Sequence, residues 1–316
     1  MTPMPRVSVV IPAFNAEAFI RETLDSVLAQ TYANLEVIVS DDGSTDGTRD
    51  VVAQYDGRVR YVAGVHSGGV SAPRNTGAMA ASGSLLVFID ADDLMEPGRI
   101  AAEVRCFATH PDIGLVFSDY GEFGENRRQP DGHFQSCPLL SRILAQAPAG
   151  TDSVALDAAT ATELLLTENF GSSSPMVRRR VFEHVAGYDP AARSSEDFEF
   201  QYRAAAVAGV GLVPRILWHK RQHPQNMSAN VERVLDWKIA IRNRILATET
   251  VARRRRKLKR RIAGWHADLA YFYTGRDNAR AIRHMLRSLR LSATVPPKLV
   301  GRLALDVLGR DTLGGR

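Results

Sequence analysis

The stretch SLLVFIDADD, residues 84–93, narrows the possible folds more than any other part of the chain. Leu85 to Ile89 form an unbroken apolar run, of the length and type of a strand buried on both faces. It runs directly into Asp90, Ala91, Asp92 and Asp93. A buried strand cannot hold three carboxylates, so they belong at its exit. In extended chain, side chains two apart point the same way, so Asp90 and Asp92 can face one point. Like charges that close repel unless a cation sits between them. Hard oxygen ligands at the carboxyl end of a strand suit Mg²⁺ or Mn²⁺, and a divalent ion there suits a diphosphate. A solvated acidic turn that caps the next helix is the other reading, and on this stretch alone both stand.

The residues before this stretch alternate strand and helix. RVSVVI, residues 6–11, reads as a first strand that Pro12 ends, and PAFNAE as a turn. Asn15 is the expected N-cap of a helix carrying Ile20, Leu24, Val27 and Leu28 at helical spacing. LEVIVS (35–40) is a second buried strand that exits into DDGSTDGT, and a short helix follows around Val51, Val52 and Tyr55. VRYV (59–62) is a third strand, and HSGGVSAPRNTGAMAAS a Gly-rich loop leading into a small-residue helix. Such alternation predicts a parallel sheet with helices on both faces. These sheets bind ligands outside the carboxyl ends of their strands. Pro12 to Asn15, Asp41 with Asp42, and Asp90 to Asp93 should therefore lie along one edge, which points to a nucleotide or phosphate without choosing a reaction.

Beyond residue 93 the pattern predicts a helix from about Pro97 to His110 and a strand over IGLVFSDY. Residues 121–153 are polar, rich in Gly, Pro and Gln, and read as a long loop or loosely structured insert. A helix near 158–167 follows. In SSEDFEFQYRAAAVAG, Ser194 or Ser195 can cap a helix, with Glu196 and Asp197 in its first turn, where acids are favoured. Simple capping is the plain explanation of that pair. A short strand over VPRILWHKR from residue 213 precedes HPQNMS. From about 230 the chain reads as helix, broken at Gly264, Gly275 and Pro296-Pro297, with Ile282, Met285, Leu286 and Leu289 on one face.

Charge is divided along the chain. From residue 231 onward there are 21 Lys and Arg against 7 Asp and Glu, a net of +14, while the first 230 residues carry a net of −9. The expected organisation is a body over 1–229 and a basic helical extension over 230–316, with a basic run from Arg253 to Lys257 extended by Lys259, Arg260 and Arg261. Two cysteines, Cys106 and Cys137, suggest unpaired thiols in a reducing compartment rather than a disulfide framework. The N-terminal apolar run is too short for a secretory signal and no stretch of about 18 apolar residues occurs, so a cytoplasmic location without a membrane span is expected.

Taken in order, VSVVIPAFNAEAFIRETLDSVLAQTY, LEVIVSDDGSTDGT, GVSAPRNTGAMAASGSLLVFIDADD and SEDFEFQYR resemble the inverting family 2 glycosyltransferases. The likeness covers roughly residues 5–228. It implies the GT-A nucleotide-diphospho-sugar transferase fold, a Rossmann-like mixed α/β sheet with helices on both faces, here followed by a helical extension. The nucleotide-binding half would be 1–93 and the acceptor-binding half 94–229. The implied reaction is attack of an acceptor hydroxyl on the anomeric carbon of a nucleotide sugar, with Mn²⁺ or Mg²⁺ offsetting charge on the departing diphosphate. By similarity Asp92 is the direct metal ligand, with Asp90 near ribose and metal. Asp93 would cap the following helix or approach the donor sugar.

Pro12, Ala13 and Phe14 resemble the family's first nucleotide-contacting turn, with Phe14 against the base unless it is core. Asp42, or alternatively Asp41, matches the acid that accepts the uracil imide N–H, which favours a UDP-sugar. Arg74 matches an arginine near the nucleotide, able to stack on a base. Ala91 lies between the two metal-site acids. Glu196 and Asp197 line up with the family's Glu-Asp pair, with Asp197 as base and Glu196 in support. His223 could approach metal or diphosphate, and Arg221 and Ser228 the phosphates. The QxxRW signature of processive synthases is absent, so transfer of one sugar is expected, in polysaccharide, glycolipid or other surface-glycan synthesis.

The acceptor class implied is a glycan or a lipid-linked glycan. The basic extension could lie on anionic lipid at the inner face of the cell membrane, mediate homo-oligomerisation, or be a solvated cap. Nucleic acid fits poorly, because the basic run lacks interleaved aromatics or a recognisable module. A sugar-1-phosphate nucleotidyltransferase would want a Gly-rich basic loop after the first strand, where PAFNAE stands. A catalytically silent sugar-binding or assembly protein is opposed by intact acids in every motif.

Overall fold

The structure, a computed structural model, describes residues 4–292 apart from 125–126, 129–131, 149, 172, 225 and 227–229. Ser228 and the Pro296-Pro297 pair lie outside the described residues. The chain forms two compact units, Met1–Asn226 and Met227–Arg316.

The first unit is built on a mixed sheet. Its first half contains β1 (Val7–Ala13), β2 (Leu35–Asp41), β3 (Val59–Ala63) and β4 (Leu85–Phe88), with helices α1 (Ile20–Leu28), α2 (Thr48–Ala53) and α3 (Ser71–Ala80) between them. Its second half adds β5 (Leu94–Met95), α4 (Arg99–Thr109), β6 (Ile113–Gly124), β7 (Arg127–Arg128), α5 (Pro138–Ala145), β8 (Val154–Leu156) and α6 (Ala158–Thr167). Then come β9 (Met176–Arg178), α7 (Arg179–His184), α8 (Glu196–Val207) and β10 (Gly209–Gln222). The strand order is β3-β2-β1-β4-β9-β6-β10-β5. β1 to β4 are mutually parallel where they pair, whereas β9 runs antiparallel between β4 and β6.

Parallel strands buried on both faces need apolar residues throughout, and all seven residues of β1 are buried. Val7, Val9 and Ile11 meet Ile20, Leu24 and Val27 of α1 in the main core. Each fully buried side chain of this kind contributes about 1.5–3 kcal/mol. Contrary to expectation, Pro12 does not end β1, which pairs through Pro12 with Ser40 and through Ala13 with Asp41. β4 leaves β1 at Val10, so Pro12 has a ladder partner on one side alone, where a missing N–H is tolerated.

Asn15 is not a helix cap either. It sits at φ 49° and its side chain accepts from Thr45 N at 2.8 Å, while Asn15 N donates to Ser44 Oγ at 2.9 Å. The turn after β1 is thus fastened to the loop after β2, and α1 begins at Ile20. Residues 121–153 also differ from expectation. They contain the end of β6, the β7 strand, a 3₁₀ turn at His133–Ser136 and α5. Asp119 anchors the 3₁₀ turn by accepting from Phe134 N at 2.9 Å.

One clamp holds the two halves of the sheet unit together. Asn75 Nδ2 donates to Tyr188 O at 2.7 Å and Tyr188 N donates to Asn75 Oδ1 at 2.9 Å. Removing the amide leaves a backbone donor and acceptor without partners, which costs about 1–3 kcal/mol. Asn75→Ala should lower the urea midpoint by about that amount, and an unchanged midpoint would show that the clamp adds nothing.

The second unit contains α9 (Val231–Thr248), α10 (Ala252–Tyr273) and α11 (Asn278–Leu291). Leu235 and Ile239 of α9, Ile262, Trp265, Leu269 and Tyr273 of α10, and Ala281 of α11 form its core. Gly264 does not interrupt α10, because a single glycine costs a helix only about 1 kcal/mol. Gly275 does break the chain, at φ 77°. Among the described residues no helix is long and apolar enough to cross a membrane.

Candidate active site

The carboxyl ends of β2, β1 and β4 lie side by side at one edge of the sheet, as the parallel pairings require. Three groups of side chains gather there. The first follows β1 and β2. Phe14 is 45% exposed, so it is not core, and its ring stacks on His66 with centroids 4.1 Å apart. His66 Nδ1 lies 3.0 Å from Asp42 Oδ2. Both Asp42 oxygens accept from Ser67 N, at 3.0 Å each. Asp41 turns the other way and accepts from Ser44 N at 2.6 Å. Of the two acids, Asp42 therefore shares a group with the exposed ring. Asp42 N donates to Ala13 O at 2.8 Å, which ties that group to the end of β1.

The second group is centred on Arg74, 1% exposed. Its Nη2 donates to Asp90 Oδ1 at 2.7 Å and its Nη1 to Glu196 Oε1 at 2.9 Å. The guanidinium also lies over the Tyr188 ring, 5.1 Å from its centroid. Burial alone would lower its pKa, but Asp90, Tyr188 and Glu196 outweigh it and hold the group above its ordinary value. The expected stacking of Arg74 on a base is not what this packing provides, because the group is enclosed between two carboxylates and a tyrosine.

Glu196 is 6% exposed. Burial first, and the neighbouring Asp197 second, push its carboxyl up to about 7, against the pull of Arg74. Asp197 is only half-buried, and its Oδ1 accepts from Phe198 N at 2.6 Å. The residue before the pair, Ser195, takes the N-cap position of α8 at φ 57°, but its side chain makes no cap bond to the helix. A non-glycine residue held there is strained by about 1–3 kcal/mol. Tyr120 stacks on His133 at 4.7 Å and packs on Trp218 at 4.5 Å, and burial, then Glu122 and Asp197, push its hydroxyl above the ordinary range.

The third group joins the end of β4 to the end of β10. His223 Nε2 lies 2.8 Å from Asp92 Oδ2, and the His223 ring stacks on Phe19 at 4.6 Å. Arg221 Nε donates to Asp92 O at 2.9 Å and its Nη2 to Glu22 Oε2 at 2.9 Å. Its guanidinium thus has two protein acceptors through Nε and Nη2. Asp93 is not a helix cap: α4 starts at Arg99, while Asp93 Oδ1 accepts from Arg221 N at 2.9 Å. Burial, then Asp92 and Asp90, hold the Asp93 carboxyl well above its ordinary range. Asp92 is likewise raised, by burial and then by Asp90, with His223 opposing.

This arrangement fits a divalent cation. Asp90 and Asp92 crowd each other, and among the described residues one buried oxygen of Asp93 has no hydrogen-bond partner. Nor do the described residues contain a complete cage of three or more His, Cys, Asp or Glu side chains. A partial, oxygen-dominated set is what Mg²⁺ or Mn²⁺ uses when diphosphate and water supply the remaining ligands.

Sequence order alone brought Asp42, Phe14 and the Asp90–Asp93 run to one edge. It missed His66, Tyr188, Tyr120, Phe19 and the Asn75 clamp. His66 opens the Gly-rich loop, the local signal that could have drawn it in. Tyr188 and Tyr120 each pack on one ring from far along the chain, Phe88 and Trp218, which no local pattern announces.

The family model described as Glycosyl transferase family 2 matches residues 8–163. Validoxylamine A glucosyltransferase of Streptomyces hygroscopicus subsp. limoneus is 32% identical over 249 residues, covering 72% of this chain and 54% of that protein. UDP-Glc:alpha-D-GlcNAc-diphosphoundecaprenol beta-1,3-glucosyltransferase WfgD of Escherichia coli is 33% identical over 121 residues, covering 38% of this chain and 47% of that protein. The chain spans 15% to 58% of the length of eight of the curated relatives it matches. Among solved structures, S. aureus TarS 1-349 in complex with UDP-GlcNAc superposes with a TM-score of 0.69 at 17% identity, over 93% of this chain and 82% of that one. That likeness carries the fold, the GT-A type.

Proposed function

The chain belongs to the family 2 glycosyltransferases, and on that premise we propose that it moves a single sugar from a UDP-sugar to an acceptor hydroxyl with inversion, using Asp197 as the base. The observation that carries this reading is the Arg74 bridge. One guanidinium holds a carboxylate of the β4 exit and a carboxylate of the Glu196-Asp197 pair through its two terminal nitrogens. Departure of the nucleotide and activation of the acceptor would thus occur at opposite ends of one side chain's contacts.

Residues 1–93 would hold the nucleotide. The uracil would meet the exposed Phe14 ring and the Asp42 carboxylate, which can accept its imide N–H. Pro12 and Ala13 set the backbone beneath, and Ala91 leaves space between Asp90 and Asp92. Those two acids, with His223, would hold Mn²⁺ or Mg²⁺, which when bound offsets negative charge on the diphosphate. Asp197 would take the acceptor's hydroxyl proton as the new bond to the anomeric carbon forms and the bond to the diphosphate breaks, with the electron pair leaving on UDP. Glu196 sits behind, and Arg74 fixes it. UDP is favoured because WfgD is named for UDP-Glc and TarS was solved with UDP-GlcNAc. The acceptor would be a glycan or a lipid-linked glycan, bound by residues 94–229.

A thermal-shift screen of UDP-, GDP- and dTDP-sugars with and without Mn²⁺ tests the donor, since a ligand that binds only the folded state stabilises it. UDP with Mn²⁺ should raise the melting temperature more than either alone. Asp92→Asn should lose the Mn²⁺-dependent part of that shift and keep a metal-free UDP response. Equal Mn²⁺ responses in wild type and variant would remove Asp92 from the metal site, and a stronger response to GDP or dTDP would overturn the donor.

A further inference from the structure

The second unit carries an apolar stripe that its own core leaves uncovered. On α11, Ile282 is 53% exposed, Leu286 47% and Leu289 38%. They recur at i, i+4 and i+7, so they line one face of the helix. The buried face of α11 is a different one, formed by Ala281 and Ser288. Ser288 Oγ donates to Ala263 O at 2.8 Å, which fixes α11 on α10 and holds the stripe outward.

A second row accompanies the first. Arg283, Arg287 and Arg290 each follow one stripe residue, so they stand about 100° around the helix and flank it along its length. α11 contains four arginines and no acid. Arg280 is taken up by Glu232 and Asp277, but no carboxylate among the described residues pairs with Arg283, Arg287 or Arg290. α10 carries the longer basic run, Arg253 to Lys257. Its apolar residues Leu258 and Ile262 are buried, so it supplies charge without an apolar face.

We propose that the α11 face docks on an anionic lipid surface, with Ile282, Leu286 and Leu289 entering the headgroup boundary and Arg283, Arg287 and Arg290 meeting lipid phosphates. Charge complementarity selects this occupant. An apolar stripe beside an acid-free arginine row matches a surface that is apolar below and negative above. A second copy of the chain would set the same arginines against each other across an isologous contact. The proposal uses none of the residues of the candidate active site and holds whichever sugar is moved.

Flotation of the full chain with phosphatidylcholine vesicles, with and without phosphatidylglycerol, tests it. Wild type should float with the anionic vesicles alone, and high salt should weaken that binding. Ile282→Ser/Leu286→Ser/Leu289→Ser should lower partitioning by about tenfold or more, as should Arg283→Gln/Arg287→Gln/Arg290→Gln. Both sets alter positions outside the helix's buried face, and an unchanged melting temperature confirms folding. Equal flotation of either variant would overturn the proposal. So would a wild-type dimer that does not float and that the serine variant converts to monomer, since the stripe is then a contact between copies. Flotation gained only on removing residues 293–316 would assign the stripe to the chain's own C-terminal segment and would also overturn it.

Discussion

Asp197→Asn should lower the rate of sugar transfer by about 10²–10⁴-fold, the usual contribution of a positioned general base, with UDP affinity held near the wild-type value. The substitution keeps shape and removes proton affinity. The amide would still offer a carbonyl oxygen to Phe198 N, so the first turn of α8 has no reason to change. The neighbouring acid cannot take over. Glu196 is 6% exposed and bonded to Arg74, and burial holds its carboxyl at about 7, so near neutrality much of it is protonated. A group already carrying a proton and facing inward is poorly placed to take another from an acceptor. Release of UDP in the presence of acceptor gives the rate, and calorimetric titration with UDP gives the affinity. Near-normal turnover would move the base to another residue. A parallel loss of UDP affinity would show that Asp197 serves the donor instead.

The sheet was largely legible from the sequence because its strands are local objects. VSVVI, LEVIV and SLLVF are short apolar runs that bury both faces, and each exits into polar residues with no intervening helix. The edge on which Asp42 and Asp90–Asp93 converge follows from that alone. The boundary residues were less legible. Pro12 and Asn15 obey ordinary local rules in most chains. Here the one-sided pairing of β1 and the hold of Asn15 on Thr45, thirty residues later, override them. The insert was misjudged for a related reason. Its order comes from Asp119 and Glu168, which lie outside the segment and accept from Phe134 N and from Leu139 and Leu140 N. Neither the polar composition nor the absent periodicity of residues 121–153 records those anchors. The roles of Arg74 and Asp93 were hidden most deeply, because the contacts to Glu196 and Arg221 span more than a hundred residues and depend on the closed sheet.

Arg74→Met should be the most damaging single change, abolishing transfer and lowering stability by about 3 kcal/mol, the lower end for removing one partner of a buried charge group. The lower end applies because Asp90 keeps 29% of its side chain in solvent and can be hydrated, whereas Glu196 keeps 8%. Methionine fills similar volume, so the loss reports charge rather than a cavity. Its pH dependence has a definite sign. The folded-state pKa of Glu196, about 7, lies above the ordinary 4.5, so its contribution favours folding below about pH 4.5 and is lost as pH rises through 7. Arg74 is one of the groups that pull that value down. Without it the carboxyl moves further up, and the deficit of the variant should be larger at about pH 8 than at about pH 5.5. Urea unfolding at both values measures this. Arg74→Lys separates charge from geometry. One ammonium can meet Asp90 or Glu196 but lacks the planar fork that reaches both, so it should recover much of the stability and little of the transfer rate. Adding Glu196→Gln to Arg74→Met should return part of the stability, because the buried acid left without its cation is then gone. If stability is the same in the single and double variants, or independent of pH, Arg74 acts by packing against Tyr188 and does not join the two ends of the site through charge.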